Sequence, residues 1–362
     1  MGFTVGIIGL PNVGKSTLLN ALCHAGAEAS SYPFCTIDKN QGVVEVPDER
    51  LARLTAILKP KDVIPATVTF IDIAGLVKGA HAGEGLGNQF LHHVREANVL
   101  AHVLRCFTDE NVSHMYGTID PLLDLEIVET ELFLADLQRV EKWIEKERTK
   151  SKAKRPDERK ELDFLESTLA TVSRGDRVAS ESVPPPMRTL YEELGLLTSK
   201  PRIVILNTGW EDPGGKGAAC ARVIEKFGGR TIFIVSAKLE DELDAFSGEE
   251  KAELIKGLGI DERAKTRFIE KCHELLGLIR YYTAAHEKLQ AWSIPAGTPA
   301  PKAAGKIHTD MERGFIRAEV MRYEDLITYG SKAEVHRHGL LRTHGHDYLI
   351  EDGDVVYYHF NP

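Results

Sequence analysis

The stretch GLPNVGKST (9–17) follows the apolar run FTVGIIG (3–9) and opens a helical pattern. It matches G-x-x-x-x-G-K-[ST] through Gly9, Gly14, Lys15 and Ser16. Glycines at those places let backbone N–H groups close around phosphates, while the lysine reaches the β/γ oxygens and the Ser16 hydroxyl ligates Mg²⁺. A plain Gly-rich turn does not explain a Lys-Ser pair between a strand and a helix. The loop residues expected to hold nucleotide are Asn12, Val13, Gly14, Lys15, Ser16 and Thr17. Outward from this loop, TVTFIDIAG (67–75), VLAHVLRCF (99–107), PRIVILN (201–207) and RTIFIVSA (230–237) are continuously apolar. Such runs mark strands buried on both faces, so the fold expected is α/β with a mostly parallel sheet flanked by helices.

Two further segments fall where a switch NTPase needs them. Thr36 in YPFCTID can ligate Mg²⁺ and sense the γ-phosphate. DIAG (72–75) ends a strand, so Asp72 can hold Mg²⁺ through water and the Gly75 N–H can meet the γ-phosphate. The water-positioning Gln of Ras-like switches is absent, since Leu76 follows Gly75. Nucleophile positioning must come from elsewhere, with His81 and His114 as candidates beside their plainer readings as loop and helix-end histidines.

The base side is less regular. VILNTGWED (204–212) ends a strand in Asn207, as guanine-reading Asn-Lys-x-Asp motifs do, but Trp210 occupies the Asp position and Glu211 comes one place late. Guanine recognition needs a carboxylate facing N1–H and the 2-amino group. Adenine presents an N6 donor beside an N7 acceptor, which an Asn amide can match. The expectation is therefore adenine, with Asn207 as reader and Ser236 nearby. Glu211 reaching back to guanine stays open, and Trp210 either covers the base or packs the loop.

At 362 residues, with 43% hydrophobic and 27% charged residues, the chain suits two or three soluble domains. No run of 18 apolar residues exists, and five scattered cysteines without a C-x-x-C pair fit a reducing cytoplasm. Neither a membrane nor DNA is expected as a partner at a net charge of −9. Between 121 and 199, Phe133, Leu137, Val140 and Ile144, then Leu162, Leu165, Leu169 and Val172, lie at helical spacing on either side of Pro156. We read them as an inserted helical hairpin. Residues 146–160 carry eight basic and three acidic side chains, a local +5 at the hairpin tip. The C-terminal 279–362 mixes strands with short helices, as a small α+β domain does.

With GLPNVGKST, YPFCTIDKNQGVVEVPD, DIAGLVKGAHAGEGLGNQFL and AAGKIHTDMERGFIRAEV…YLIEDGDVVYYHFN in view, the chain resembles the YchF/Obg-like ATPase family along its whole length. The resemblance implies an OBG-type G domain (1–120 and 200–278), the hairpin insert (121–199) and a C-terminal TGS domain of β-grasp fold (279–362). It further implies slow Mg²⁺-dependent ATP hydrolysis, Leu76 in place of the catalytic Gln, and Phe107 against the base. Association with the ribosome is implied as well, which we assign to Lys146, Lys150, Lys152, Lys154 and Arg155 at the hairpin tip together with the TGS domain; the alternative location is the TGS surface around Arg313, Arg317 and Arg322. Asn12 resembles the asparagine that ligates K⁺ in NTPases lacking that Gln, so K⁺ is expected to stimulate. The competing readings are a GTPase of the same fold and a ribosome- or RNA-binding adaptor with a structural nucleotide site.

Overall fold

The structure is a computed structural model. It describes the chain except residues 1–2, 25–39, 76–85, 151–155, 228–231, 244–245, 247, 259–263, 286 and 362. The chain divides into two compact units, one of residues 3–43 and 69–264, the other of residues 1–2, 44–68 and 265–362.

The apolar runs form the first sheet. Its strands are β1 (Phe3–Ile8), β2 (Gln41–Glu45), β4 (Thr67–Asp72), β5 (Val99–Arg105), β6 (Arg202–Asn207) and β7 (Ile232–Val235), in the order β2-β4-β1-β5-β6-β7. The pairs β1–β5, β5–β6 and β6–β7 are parallel, as continuous apolarity predicts. Every residue of central β5 is buried. Parallel strands place their C-terminal ends together, so the loops after β1, β5, β6 and β7 meet at one edge, where ligands bind in open α/β sheets. α1 (Lys15–His24) starts directly after the loop that leaves β1.

The insert is helical as its spacing indicates. α4 (Pro121–Lys150) and α5 (Pro156–Ser173) bury Val140, Ile144, Leu162, Leu165 and Val172 against one another, and Val178, Val183 and Leu194 close the cluster. A buried carboxylate anchors the hairpin to the chain that returns toward β6. Asp136 accepts from Leu197 N (2.8 Å), Thr198 N (2.9 Å) and Thr198 Oγ1 (2.8 Å). Burial still pushes its pKa up, and these three donors oppose that shift.

The other unit carries the second sheet. Its strands are β3 (Asp62–Ile64), β8 (Leu278–Ala285), β9 (Lys288–Pro295), β10 (Phe315–Arg322), β11 (Arg342–His344) and β12 (Asp354–Phe360), in the order β11-β10-β12-β8-β9-β3. The central β12–β8 pair is parallel and its flanking pairs are antiparallel. Helix Ala300–Ile307 covers this sheet with Ala300, Ala303 and Ala304, all fully buried against Tyr281, Ile294 and Ala318. β3 adds a parallel edge to β9. The helix before β3, α2 (Glu49–Leu58), is capped by Asp48, which accepts from Arg50 N (3.0 Å) and Leu51 N (3.3 Å). Tyr282 OH donates to the second oxygen of Asp48 at 2.8 Å, and Arg50 pairs with Asp352 at 2.7 Å. Residues 44–68 are thus held to the C-terminal segment by buried and bidentate polar contacts.

Candidate nucleotide site

The phosphate loop has the backbone its glycines permit. Gly9 has φ 149°, and a Cβ there would stand 2.5 Å from the Val103 carbonyl oxygen. Gly14 has φ 94°, and a Cβ there would stand 2.2 Å from Asn207 Nδ2. Asn12 also takes a left-handed conformation, φ 62°, which Asn tolerates better than most residues. The Lys15 ammonium is buried and donates to the Leu10 carbonyl at 2.8 Å, folding back over the loop that would hold phosphate. Burial lowers its pKa, and the Asp72 carboxylate opposes that shift.

A metal-type pair lies beside it. The Ser16 hydroxyl donates to Asp72 Oδ2, joining the start of α1 to the end of β4. The other oxygen, Asp72 Oδ1, is buried without a hydrogen-bond partner. A hydroxyl and a carboxylate in contact, with one buried oxygen unsatisfied, form an all-oxygen donor set that suits a hard divalent cation such as Mg²⁺. Gly75 packs tightly on the phosphate loop, since a Cβ there would be 2.8 Å from Pro11 N and 3.0 Å from Pro11 Cα. Thr36, Leu76 and His81 lie outside the described residues.

A cavity of about 950 Å³ continues from this loop, lined in part by Lys15, Phe107, Asn207, Trp210, Glu211 and Lys238. Asn207 is buried, and both ends of its amide are engaged. Nδ2 donates to the Val13 carbonyl at 2.8 Å, and Oδ1 accepts from Ala237 N at 3.0 Å. The side chain expected to read adenine with both ends therefore braces the phosphate loop against the turn after β7. One amide N–H is left for a ligand, and it suits N7, which adenine and guanine share. Trp210 is 74% exposed at the rim. The Glu211 carboxylate folds back over Gly209, where a Cβ would come within 2.1 Å of Oε2. Ser236 is buried with its hydroxyl unpartnered. Its successor Ala237 supplies the N–H to Asn207, and Lys238, which the sequence reading passed over, lines the cavity. The triplet SAK directly after a strand was the available signal.

Arg105 is a second residue missed. It ends β5, is 1% exposed, and its guanidinium stacks on Phe107 at 4.5 Å from the ring centroid. It donates to the carbonyls of Val112 (3.0 Å), Phe107 (3.2 Å), Asp109 (3.4 Å) and Ser113 (3.4 Å). The Ser113 carbonyl also accepts from Asn12 Nδ2 at 3.2 Å, so the loop beside the base is tied to the phosphate loop. In His114, Nε2 lies 3.0 Å from Asp124 Oδ2, and Nδ1 accepts from Tyr116 N at 3.3 Å. Both ring nitrogens are used, the imidazole is buried, and it does not line the cavity. At the hairpin tip, the Lys146 ammonium sits 5.1 Å over the Trp143 ring. The Lys150 side chain and residues Lys152, Lys154 and Arg155 lie outside the described residues.

Comparison with known proteins decides the family. Two proteins named "Ribosome-binding ATPase YchF", from Bacillus subtilis (strain 168) and Escherichia coli O157:H7, are each 43% identical to this chain over its full length and their own. The chain belongs to the YchF family. Residues 278–361 match the family model for the C-terminal segment of YchF GTPases, described as a protein of unknown function. Residues 4–150 match the 50S ribosome-binding GTPase model. The solved YchF GTPase of Schizosaccharomyces pombe superposes with a TM-score of 0.84 at 34% identity, covering 99% of this chain and 98% of that one. A GTP binding protein from Pyrococcus horikoshii OT3 shares the fold alone, with TM-score 0.60 at 19% identity over 99% of this chain and 100% of that one. No described helix is long and apolar enough to cross a membrane.

Proposed function

We propose that this YchF-family chain is an Mg²⁺-dependent P-loop ATPase that acts as a slow switch on the ribosome; its bacterial relatives are named ribosome-binding ATPases. The observation that carries adenine over guanine is the third position after Asn207. A guanine reader places a carboxylate there, and this chain places Trp210, 74% exposed at the cavity rim. Ser16 and Asp72 would hold Mg²⁺, with Thr36 as a further ligand, and Lys15 and the Gly75 N–H would meet the β/γ-phosphates. When bound, Mg²⁺ neutralises the charge developing on the phosphate oxygens. His81 and His114 are the candidates to orient the attacking water; for His114 that role requires the ring to leave Asp124 and Tyr116 N and turn into the cavity, which it does not line. K⁺ held by Asn12 would add positive charge at the same place. The donor end of Asn12 is taken by Ser113, and its Oδ1 is the atom K⁺ would need.

The G domain, hairpin and TGS divisions given above remain our functional reading. In it, Lys146, Lys150, Lys152, Lys154 and Arg155 contact ribosomal RNA backbone, and the TGS domain adds a second contact. Such contacts weaken steeply with salt as counterions are released. A GTPase is the second reading, favoured by the Glu211 carboxylate lying back over Gly209 at the cavity rim. Competition of ATP and GTP for one labelled nucleotide, with turnover measured for wild type and Lys15→Ala, tests the proposal. Tighter binding and faster Lys15-dependent hydrolysis of ATP are expected. Preference for GTP would overturn the base assignment, and turnover unaffected by Lys15→Ala would overturn the enzyme assignment.

A further inference from the structure

α3 (Leu86–Glu96) carries a group of side chains that the nucleotide site does not use. His92, His93 and Glu96 are all exposed, and one donor atom from each lies within 4.8 Å of the other two. The spacing explains how Glu96 reaches both histidines. On a helix, residues three and four apart are neighbours on one face, so Glu96 sits one turn beyond both histidines, at i+4 from His92 and i+3 from His93. His92 Nδ1 already lies 3.7 Å from Glu96 Oε2. The two imidazole centroids are 6.0 Å apart with their planes at 84°, an edge-on arrangement without stacking. Neighbouring Leu91 and Val94 are buried. The final turn is closed by Ala97 N donating to the His93 carbonyl at 3.2 Å. That turn is fixed from the inside as well, because Lys200 Nζ donates to the Arg95 carbonyl at 2.8 Å. Two imidazoles and a carboxylate thus project outward from a backbone that is held on its inner side.

We propose that His92, His93 and Glu96 form a second cation site, for a borderline divalent transition ion such as Zn²⁺, Ni²⁺ or Cu²⁺. Ligand chemistry separates it from the Ser16–Asp72 site. Imidazole pairs select these ions, whereas Mg²⁺ wants oxygen donors. Ligand atoms bound at about 2.0–2.2 Å around a tetrahedral ion stand closer together than 4.8 Å. Exposed side chains close that gap by rotamer adjustment alone. The remaining coordination positions face solvent and take water. Because the ligands come from one helical turn, the ion fixes the end of α3 without crossing to another element.

Equilibrium dialysis of the untagged full chain against Zn²⁺, in excess Mg²⁺, tests the site. Wild type and Ser16→Ala are expected to hold the same Zn²⁺ equivalent. Loss of even an outer-shell partner costs a metal site about 10–100-fold in affinity. His92→Ala with His93→Ala should therefore weaken it by at least about tenfold, and Glu96→Gln should weaken it measurably. All three positions are exposed, and unchanged circular dichroism checks the fold of each variant. A Cu²⁺ electron paramagnetic resonance spectrum of wild type should show coupling to two nitrogens and lose it in the double variant. Undiminished Zn²⁺ binding in the double variant, loss in Ser16→Ala, or displacement by millimolar Mg²⁺ would each overturn the proposal.

Discussion

Replacing Asn207 by Ala separates a bracing role from a base-reading one. The side chain holds two buried backbone groups, the Val13 carbonyl at 2.8 Å and the Ala237 N–H at 3.0 Å. Both residues are fully buried, so water cannot replace the amide without reorganisation. Each stranded group costs about 1–3 kcal/mol, giving about 2–6 kcal/mol together. Against a typical stability of about 5–15 kcal/mol, that is a large share. For a unit of this size it lowers the melting temperature by roughly 5–20 °C. The nucleotide effect should be even-handed. The one free amide N–H suits N7, common to both purines, and the loosened Val13 belongs to the phosphate loop. ATP, GTP and ITP affinities are therefore expected to fall by the same factor, measured by titration calorimetry beside thermal unfolding. Asn207→Asp should be destabilised at least as much at pH 7, because it sets a carboxylate oxygen against the Val13 carbonyl. Stability unchanged in Asn207→Ala, with ATP weakened tenfold more than GTP, would refute the bracing argument.

Burial, together with nearby Arg280, pushes the pKa of His273 down from 6.5 to about 4. The unfolded chain takes up that proton first, so this contribution is present above about pH 6.5 and is lost as pH falls toward 4. Denaturant titrations should show a loss of about 3 kcal/mol over that window, and His273→Gln should flatten it. Arg105→Met strands the Phe107 and Val112 carbonyls, bonded at 3.2 and 3.0 Å. At about 1.5–3 kcal/mol for a charged donor, it should weaken nucleotide binding at least about tenfold, and Arg105→Lys should rescue only part. Ser16→Ala removes the hydroxyl partner of Asp72, so the gain in nucleotide affinity on adding Mg²⁺ should shrink, read by comparing titrations in Mg²⁺ and in EDTA.

What the sequence made legible, and what it hid, follows from the range of the contacts involved. Gly9, Gly14, Lys15 and Ser16 act through the local backbone of one loop, so their spacing alone states their geometry. The stripes through Val140 and Leu165 carry a helical period, and α4 and α5 bury those residues. Asn207 is different in kind. Its partners Val13 and Ala237 lie 194 and 30 positions away, and no local pattern tells whether an amide at a strand end has free valences. Reading the motif as a base contact left the bracing bonds uncounted. β3 was hidden for another reason, since three residues cannot display a period of two, and its place follows from pairing with β9. Arg105 offered a signal that went unused. A guanidinium within the apolar run VLAHVLRCF must find acceptors if the strand is central, because a buried charge without hydrogen bonds is too costly. The nearest acceptors for a residue at a strand end are the carbonyls of the loop that follows. Those carbonyls, from Phe107 to Ser113, are the ones it holds. A charged residue closing a buried strand thus states that the next loop is ordered, and here that loop is the wall of the nucleotide cavity.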